Sequence, residues 1–463
     1  MKKSFTAQLS YVVSLSVLFY LFYISTSSAI DKPFEGVRLN ALMEEHPTQK
    51  VVAKLLPEFE AETGIAVNIE VLPFEMQTNK AKTTLNSRSA EYDVYMDAWI
   101  NAVEWAVSGH IQPLTEYITD SDSKTKDNKS TNIDNTSINI DQNSSGLGRY
   151  IDISDFVEAY INDAKLGNTL YGLPMYGEST FLYYRKDLFE QYKIKVPETM
   201  EELMDAARQI KEQSKNQIYG ITLRGREGIH SVYIWASFLW GFGGHWLNDQ
   251  GQADLFTPEA VEAAQFYAAL LNKYAPPAYN QFGWIENRDI FIRGKAAMSI
   301  DATVNGAFNE DPVKSRVAGK TGYALMPVKL GAKLKGGHTA LVTHQMYINR
   351  YSKNRDAAFL FISWATSKKV QLKGLEIEPN CGVTSKTALH SPIYKEKFGA
   401  FTSSMTESLT HGNSNYLPII KEGPFIFEKT GKALSEIISG KKPADKAMKE
   451  LNQQINQYID SPQ

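Results

Sequence analysis

The sequence predicts an α/β fold that is divided into two domains. The chain has 463 residues, which exceeds the size that a single hydrophobic core usually supports. From residue 37 onwards, short apolar runs typical of strands alternate with capped helices, and this alternation favours parallel strands joined by right-handed crossovers. Open sheets of this kind hold ligands at the carboxyl ends of their strands. The side chains that follow each strand are therefore the first candidates for a functional site.

The N-terminus has the three regions of a secretory signal peptide. Lys2 and Lys3 supply the charge, residues 11–24 are apolar, and residues 27–29 are small. We expect residues 1–29 to be cleaved from the mature protein. A transmembrane anchor is the alternative, but the apolar run is about 14 residues long where about 20 are needed to span a bilayer.

The overall composition narrows the range of partners. With 49 basic and 52 acidic residues the net charge is -3, so no basic surface for nucleic acid is expected and a neutral ligand is favoured. The single cysteine, Cys381, has no second cysteine with which to form an internal disulfide. Residues 120–148 are rich in Ser, Asn, Thr and Asp, which predicts an unstructured surface insertion.

Polar and aromatic side chains follow each of the first three predicted strands. These strands are expected at residues 37–42, 65–72 and 92–96. Their exits carry Glu45 and His46, then Phe74, then Asp97 and Trp99. The carboxyl ends of parallel strands meet at one edge of a sheet, so we expect these side chains to lie close together. Acids at the starts of solvated helices are the alternative explanation for each residue taken singly.

Charged side chains also follow three extended segments in the second half of the chain. They are Glu178 after a bend at Gly177, Arg224 after a strand at 219–223, and Asp301 after a strand at 296–300. Trp240 and Trp284 belong to nearby aromatic segments. An indole covers the apolar face of a sugar ring and a carboxylate accepts hydrogen bonds from hydroxyl groups, although burial in the core would explain each tryptophan equally well.

Motifs of the common enzyme classes are absent from the sequence. It contains no GxSxG, HExxH, CxxC, Walker or GxGxxG pattern, and its scattered histidines predict no metal site. A glycosidase stays open at this point, because Glu178, Glu286 and Asp301 could converge as a pair of catalytic carboxylates.

The order of several motifs resembles one protein family. The motifs are LLPEFEAETGIAVNIE, YDVYMDAW, SGHIQPL, YGLPMYGESTFLYYRKDLFE, YGITLRG, FLWGFGGHW, TPEAVEAAQFY, FIRGKAAMSIDAT and GGHTALVT. Together they resemble the family-1 extracellular solute-binding proteins of ABC importers, the class that contains maltose-binding protein. The resemblance implies a two-lobed periplasmic-binding-protein fold of type II, with a ligand cleft between the lobes and hinges near Gly177, Leu325 and Leu375. Lobe 1 would comprise residues 30–177 and 325–375, and lobe 2 residues 178–324 and 376–463.

The same resemblance implies a set of ligand-binding residues. They are Glu45, His46, Phe74, Asp97, Trp99, Glu178, Arg224, Trp240, Asp301, Gly337 and Asn380. This chain departs from maltose binders in having Val304 and Asn305 where those proteins place a stacking tryptophan. Trp240 or Trp284 would then supply the stacking surface, and a monosaccharide or linear polyol is at least as well suited as an oligosaccharide.

The resemblance therefore implies a specific function. The protein would be a monomeric periplasmic component of an ABC importer that captures a sugar or polyol and delivers it to the permease and ATPase complex. No cofactor, metal or nucleic acid would be involved. A secreted glycoside hydrolase and a ligand-sensing receptor domain are the alternatives.

Overall fold

The computed structural model describes most of the chain. The described residues are 32–118, 150–334, 337–378 and 382–461. The expected signal peptide at 1–29, the insertion at 120–148, Asn380 and Cys381 lie outside these ranges.

Twelve strands are present in the described part of the chain. They are β1 (Arg38–Glu44), β2 (Ala66–Leu72), β3 (Val94–Ala98), β4 (Lys165–Leu166), β5 (Thr169–Leu170), β6 (Gly172–Glu178), β7 (Thr180–Arg185), β8 (Met298–Ala302), β9 (Thr321–Ala324), β10 (Thr339–Ala340), β11 (Val342–Ile348) and β12 (Gly412–Asn413).

Sixteen α-helices accompany these strands in the described residues. They are α1 (Pro47–Thr63), α2 (Phe74–Asn86), α3 (Trp99–Val107), α4 (Glu158–Asn162), α5 (Lys186–Tyr192), α6 (Met200–Gln213), α7 (Ile229–Gly241), α8 (Pro258–Tyr274), α9 (Trp284–Ile292), α10 (Asn305–Asn309), α11 (Arg355–Ala365), α12 (Lys368–Ile377), α13 (Lys386–Leu389), α14 (Pro392–Thr410), α15 (Gly423–Ile438) and α16 (Ala444–Ile459).

A five-stranded sheet forms the centre of lobe 1, with the order β2-β1-β3-β11-β6. β1 pairs in parallel with β2 and β3, as the sequence predicts. β11 returns from later in the chain and runs antiparallel to β3 and β6. The carboxyl ends of β1, β2, β3 and β6 and the start of β11 therefore lie at the same edge of the sheet.

Local sequence explains how β1 leads into α1 at this edge. The His46 ring accepts a hydrogen bond from the Thr48 backbone N–H, and Pro47 occupies the first helical position. The helix ends at Gly64, whose φ of 76° is the left-handed conformation that glycine tolerates. These cap residues fix the place where the chain leaves the strand, and with it the position of His46.

A three-stranded antiparallel sheet, in the order β8-β7-β9, belongs to lobe 2. Only Ser179 separates β6 of the first sheet from β7 of the second. Helices α7, α8, α15 and α16 pack on one another around a core that includes Trp235, Leu271 and Leu434. The residue ranges predicted for the two lobes stay a prediction.

The structure corrects several predicted element boundaries. Asp97 and Asp301 lie within β3 and β8 rather than beyond their ends. The strand predicted at 219–223 is reduced to two isolated bridges, from Tyr219 to Ala296 and from Thr222 to Ser299. The strands β3 and β8 extend further than their apolar runs, because Asp97 pairs with Gln345 of β11 and Asp301 pairs with Phe181 of β7.

Candidate functional site

A cavity of about 540 Å³ lies between the two lobes. Lobe 1 contributes the ends of β1, β3 and β6, the first turn of α2 and the start of β11. Lobe 2 contributes Arg224, the starts of α7 and α9, and Val304. Its size lies within the range usual for small-molecule sites.

A stack of three rings forms the lobe 1 wall of this cavity. The Tyr176 ring lies between two histidines, with its centroid 3.7 Å from that of His46 and 4.4 Å from that of His344. The Tyr176 hydroxyl donates a hydrogen bond to the carboxylate of Glu44. His344 Nδ1 lies 2.7 Å from Glu44 Oε1, and the two side chains form an acid–histidine contact.

Burial and charge set the ionisation of this wall. Burial alone would raise the pKa of Glu44, but the adjacent His344 lowers it below its usual value. Burial alone would lower the pKa of His344, but Glu44 raises it. Burial lowers the pKa of His46 to about 3, so this ring is neutral at physiological pH. The wall therefore combines one acid–histidine pair, in which each partner favours the charged form of the other, with one neutral histidine.

Glu178 is a half-buried carboxylate that lines the cavity. No described residue forms a hydrogen bond or ion pair with its side chain. Burial raises the pKa of Glu178 to about 7, an effect that the nearby charge of Arg224 only partly offsets. A carboxyl group without a protein partner can accept or donate a hydrogen bond to a bound hydroxyl.

Arg224 and Asp301 form a buried ion pair on the lobe 2 side. Arg224 Nε lies 3.0 Å from each carboxylate oxygen of Asp301, and the guanidinium lies 5.2 Å from the centroid of the Tyr233 ring. Burial opposes the charge of Arg224, but Asp301 raises the pKa of the guanidinium above its usual value. Arg224 lines the cavity and Asp301 lies behind it.

Aromatic and charged side chains of lobe 2 complete the wall. The indole of Trp284 lines the cavity, and its Nε1 donates a hydrogen bond to Asn305 Oδ1 at 3.0 Å. Arg226 and Glu286 form a partly exposed ion pair of 2.9 Å beside it. The opposing apolar surface comes from Phe74 of α2, which also packs against the core of lobe 2.

Six of the predicted binding residues line this one cavity. They are Glu45, His46, Phe74, Glu178, Arg224 and Trp284. Asp97 and Asp301 lie just behind the wall, since the residue after Asp97, Ala98, lines the cavity and Asp301 is paired with Arg224. Asp97 is fully buried, and its Oδ1 accepts hydrogen bonds from Ala98 N and Asn101 Nδ2, both at 2.7 Å.

Three predicted residues are placed elsewhere by the structure. Trp99 is 2% exposed and packs against Tyr347, and Trp240 is 6% exposed in the core of lobe 2. Their indole faces are covered by protein, so neither presents a stacking surface to the cavity. Gly337 lies against the backbone of His411, away from the cavity lining. Asn380 lies outside the described residues.

Several cavity residues were missed by the sequence analysis. They are Glu44, Tyr176, His230, Tyr233, His344 and Tyr416. Tyr176 lies inside β6, and Glu44 is the last residue of β1 and points into the buried wall. His344 belongs to a strand whose partner β3 lies more than 240 residues earlier in the chain. The alternation of VTHQMYI indicates a strand, but the neighbours of that strand cannot be read from it.

Neither a metal site nor a membrane span is found in the described residues. No group of three or more His, Cys, Asp or Glu side chains among them could bind a metal ion. Likewise, no helix in the described part of the chain has the length and apolarity needed to cross a bilayer.

The sequence matches a model of one protein family. The model for bacterial extracellular solute-binding proteins matches residues 44–372, which is more than half of the chain. The protein belongs to this family. The resemblance predicted from the motifs is thereby confirmed, and the solute-binding protein is a binder rather than an enzyme.

Curated relatives of this solute-binding protein include binders of sugar alcohols. The chain is 27% identical to the mannitol-binding protein of Pseudomonas aeruginosa over 409 residues, which covers 84% of this chain and 85% of the relative. It is 25% identical to the erythritol/L-threitol-binding protein of Mycolicibacterium smegmatis over 361 residues, covering 74% and 69% respectively.

Solved structures confirm the two-lobed fold. The solute-binding protein is similar to an ABC transporter solute-binding protein from Agrobacterium radiobacter in complex with ribitol. The TM-score is 0.78 and the sequence identity is 24%, and the match covers 92% of this chain and 100% of that one. A second match is to an ABC transporter solute-binding protein from Agrobacterium vitis with bound D-mannitol, with a TM-score of 0.75, 26% identity, and coverage of 92% and 98%.

Proposed function

We propose that this protein captures a sugar or sugar alcohol in the cleft between its lobes and delivers it to an ABC importer. The observation that carries the proposal is the cavity itself, where charged hydrogen-bonding groups and aromatic rings from both lobes face one space. The hydroxyl groups of a sugar or sugar alcohol can form hydrogen bonds with the charged side chains, and its C–H groups can pack against the aromatic rings.

The relatives narrow the expected ligand. Two of them are named for mannitol and for erythritol or L-threitol, and two related structures hold ribitol and D-mannitol. In this chain Trp284 is the only tryptophan of the described residues that lines the cavity. An oligosaccharide site usually needs several stacking surfaces, so a monosaccharide or an acyclic sugar alcohol of about four to six carbons fits this cavity better.

Specific residues are assigned to the proposed ligand contacts. Glu178 and Arg224 supply hydrogen bonds to hydroxyl groups, while Phe74 and Trp284 pack against the carbon chain. Glu45 and His46 bind from the rim of lobe 1. Asp97 and Asp301 contribute from behind the wall by holding the groups that do touch the ligand.

Binding is expected to close the cleft. Glu45, His46 and Phe74 belong to lobe 1 while Arg224 and Trp284 belong to lobe 2, so a ligand contacts its full set of partners only when the lobes are together. The ligand therefore favours the closed state by the difference in its affinity for the two states.

The expected location and partners follow from the same function. We infer that residues 1–29 direct export and are removed, and that the mature protein acts as a monomer in the periplasm. Its partners would be a permease and an ATPase in the inner membrane. Mass determination of the exported protein tests the cleavage, and light scattering of the purified protein tests the monomer.

A thermal-shift screen over sugars and sugar alcohols tests the proposed ligand class. The proposal predicts that mannitol, ribitol or a related polyol raises the melting temperature, because a ligand that binds only the folded state stabilises it. The ligand should be recovered unchanged by chromatography. A screen without any shift, or the appearance of a cleaved product, contradicts the proposal.

A further inference from the structure

Three histidines line the cavity, and their surroundings differ. His344 lies 2.7 Å from a carboxylate oxygen of the buried Glu44. His230 is 3.9 Å from Glu75, whose side chain is 73% exposed. The His46 ring accepts a hydrogen bond from the Thr48 backbone. Among the three, only His344 is held against a buried acid.

The ring of His344 is fixed in one orientation. It stacks on Tyr176 with an interplanar angle of 14°, and the Tyr176 hydroxyl donates to the same Glu44 carboxylate that contacts His344 Nδ1. Glu44 is therefore bound from two sides. The second ring nitrogen of His344, Nε2, has no hydrogen-bond partner among the described residues, and the ring lines the cavity.

The titratable groups around His344 come from every element packed against it. They are Glu44 and His46 at the end of β1, Asp97 on β3, Tyr176 and Glu178 on β6, and Asp163 after α4. Burial lowers the pKa of His344, while Glu44, Asp97 and Glu178 raise it, and the outcome is a value above the usual 6.5. The pKa of His230 is lowered to about 3 by burial and by Arg224 and Arg226.

We infer that Glu44 holds His344 as a charged hydrogen-bond donor, and that Nε2–H of His344 binds a hydroxyl oxygen of the ligand. The second half of this inference rests on the proposed function of the cleft. His344 is then a specificity-determining residue, and Glu44 is a positioning residue that acts through it.

The chemistry of a hydroxyl group explains the pairing of these side chains. A hydroxyl oxygen can accept a hydrogen bond from His344 while its own proton is donated to a carboxylate such as Glu178. A donor that carries charge forms a shorter and stronger hydrogen bond than a neutral one. An ether or carbonyl oxygen could use His344 alone, so the combination selects hydroxyl-bearing ligands.

The first test is made on the ligand-free protein. Titration of the histidine resonances by NMR, assigned with His344→Gln and His230→Gln, should show His344 titrating above 6.5 and His230 remaining neutral. In Glu44→Gln the His344 midpoint should move to lower pH. A His344 midpoint at or below 6.5 in the wild-type protein overturns the inference.

The second test measures D-mannitol binding by calorimetry between pH 5.5 and 8.5. Wild-type affinity should fall as the pH rises through the His344 midpoint, because the donor loses its charge, and Glu44→Gln should show the same fall at lower pH. His344→Gln keeps an N–H donor that does not titrate, so this part of the pH dependence should disappear. His230→Gln, the matched control in the same cavity, should keep it.

Two outcomes separate this inference from the proposed function. Equal pH dependence in wild type and His344→Gln overturns the His344 contact while leaving the cleft as a polyol site. No binding of any sugar or sugar alcohol by the wild-type protein at any pH contradicts the proposed function, and with it the Nε2 contact.

Discussion

Arg224 and Asp301 form an ion pair in which both side chains are almost fully buried, with exposures of 7% and 0%. The Asp301 carboxylate also accepts hydrogen bonds from Asn287 Nδ2 and from the backbone N–H of Ala302. Its oxygens are thus bound by three separate partners of the protein. Asp301 holds Arg224 in place at the cleft, so we expect its role to be mainly structural.

Replacing Asp301 by alanine should destabilise the protein strongly. Removing one partner of a buried ion pair leaves the other charge without compensation, at a cost of about 3 to 5 kcal/mol. Urea denaturation measures this change in the free energy of unfolding. Asp205→Ala is the control, because Asp205 forms an exposed ion pair with Arg208, and such pairs contribute only about 0 to 1 kcal/mol. Similar losses in the two variants would contradict the assignment.

Asp97 should make the stability of the protein depend on pH. Burial raises the pKa of Asp97 from 3.8 to about 7 in the folded state. The stability associated with its protonated form is therefore fully present below the unfolded pKa and is lost as the pH rises through about 7. Asp97→Asn cannot titrate, so relative to wild type it should become more stable between pH 4 and pH 7. Parallel pH curves of unfolding free energy for the two proteins would show that Asp97 does not titrate in this way.

Two tryptophans that look alike in the sequence should behave differently. Trp284 is half-buried and lines the cavity, whereas Trp240 lies in the core of lobe 2. Trp284→Ala should weaken polyol binding by about tenfold, or ~1.4 kcal/mol, with a smaller effect on unfolding. Trp240→Ala should cost about 3 to 5 kcal/mol of stability. Calorimetry measures the affinity of each variant, and denaturation measures its free energy of unfolding. Normal ligand affinity in Trp284→Ala would refute the assignment of Trp284 to the site.

Gly177 lies where β6 approaches the second sheet, and it has no room for a side chain. A Cβ at this position would lie 2.3 Å from a ring carbon of Tyr160. We expect Gly177→Ala to cost about 1 to 3 kcal/mol through overpacking. The matched control is Gly399→Ala on the exposed face of α14, where the nearest atom lies 4.0 Å away, and there alanine should stabilise by about 0.5 to 1 kcal/mol. In thermal denaturation, the melting temperature should therefore fall for Gly177→Ala and rise for Gly399→Ala.

Much of the fold could be predicted because its information is local. The alternation of strand and helix predicted the parallel pairing of β1 with β2 and β3, which is confirmed. The cap residues around His46 and Gly64 likewise mark the ends of α1 within the sequence itself. The antiparallel entry of β11 could not be predicted, since it depends on pairing between segments far apart in the chain.

Only part of the candidate site could be predicted from the sequence, for the same reason. Side chains directly after a strand, such as Glu45, His46 and Phe74, could be placed at the sheet edge by counting along the sequence. Trp99 and Trp240 could not be told apart from Trp284, because the sequence does not show which indole face is covered by a neighbouring element. His344 could not be predicted as the partner of Glu44, which is 300 residues away in the chain.

We expect the ligand to bind in the cleft around Glu178 and Arg224. Isothermal titration calorimetry of the polyol selected by the thermal-shift screen compares its affinity for the wild-type protein with its affinity for Glu178→Ala. We predict a single site in the wild-type protein and a loss of affinity of at least about tenfold in Glu178→Ala, because a charged or carboxyl hydrogen bond contributes about 1.5 to 3 kcal/mol. Unchanged affinity in a folded Glu178→Ala protein would contradict the claim.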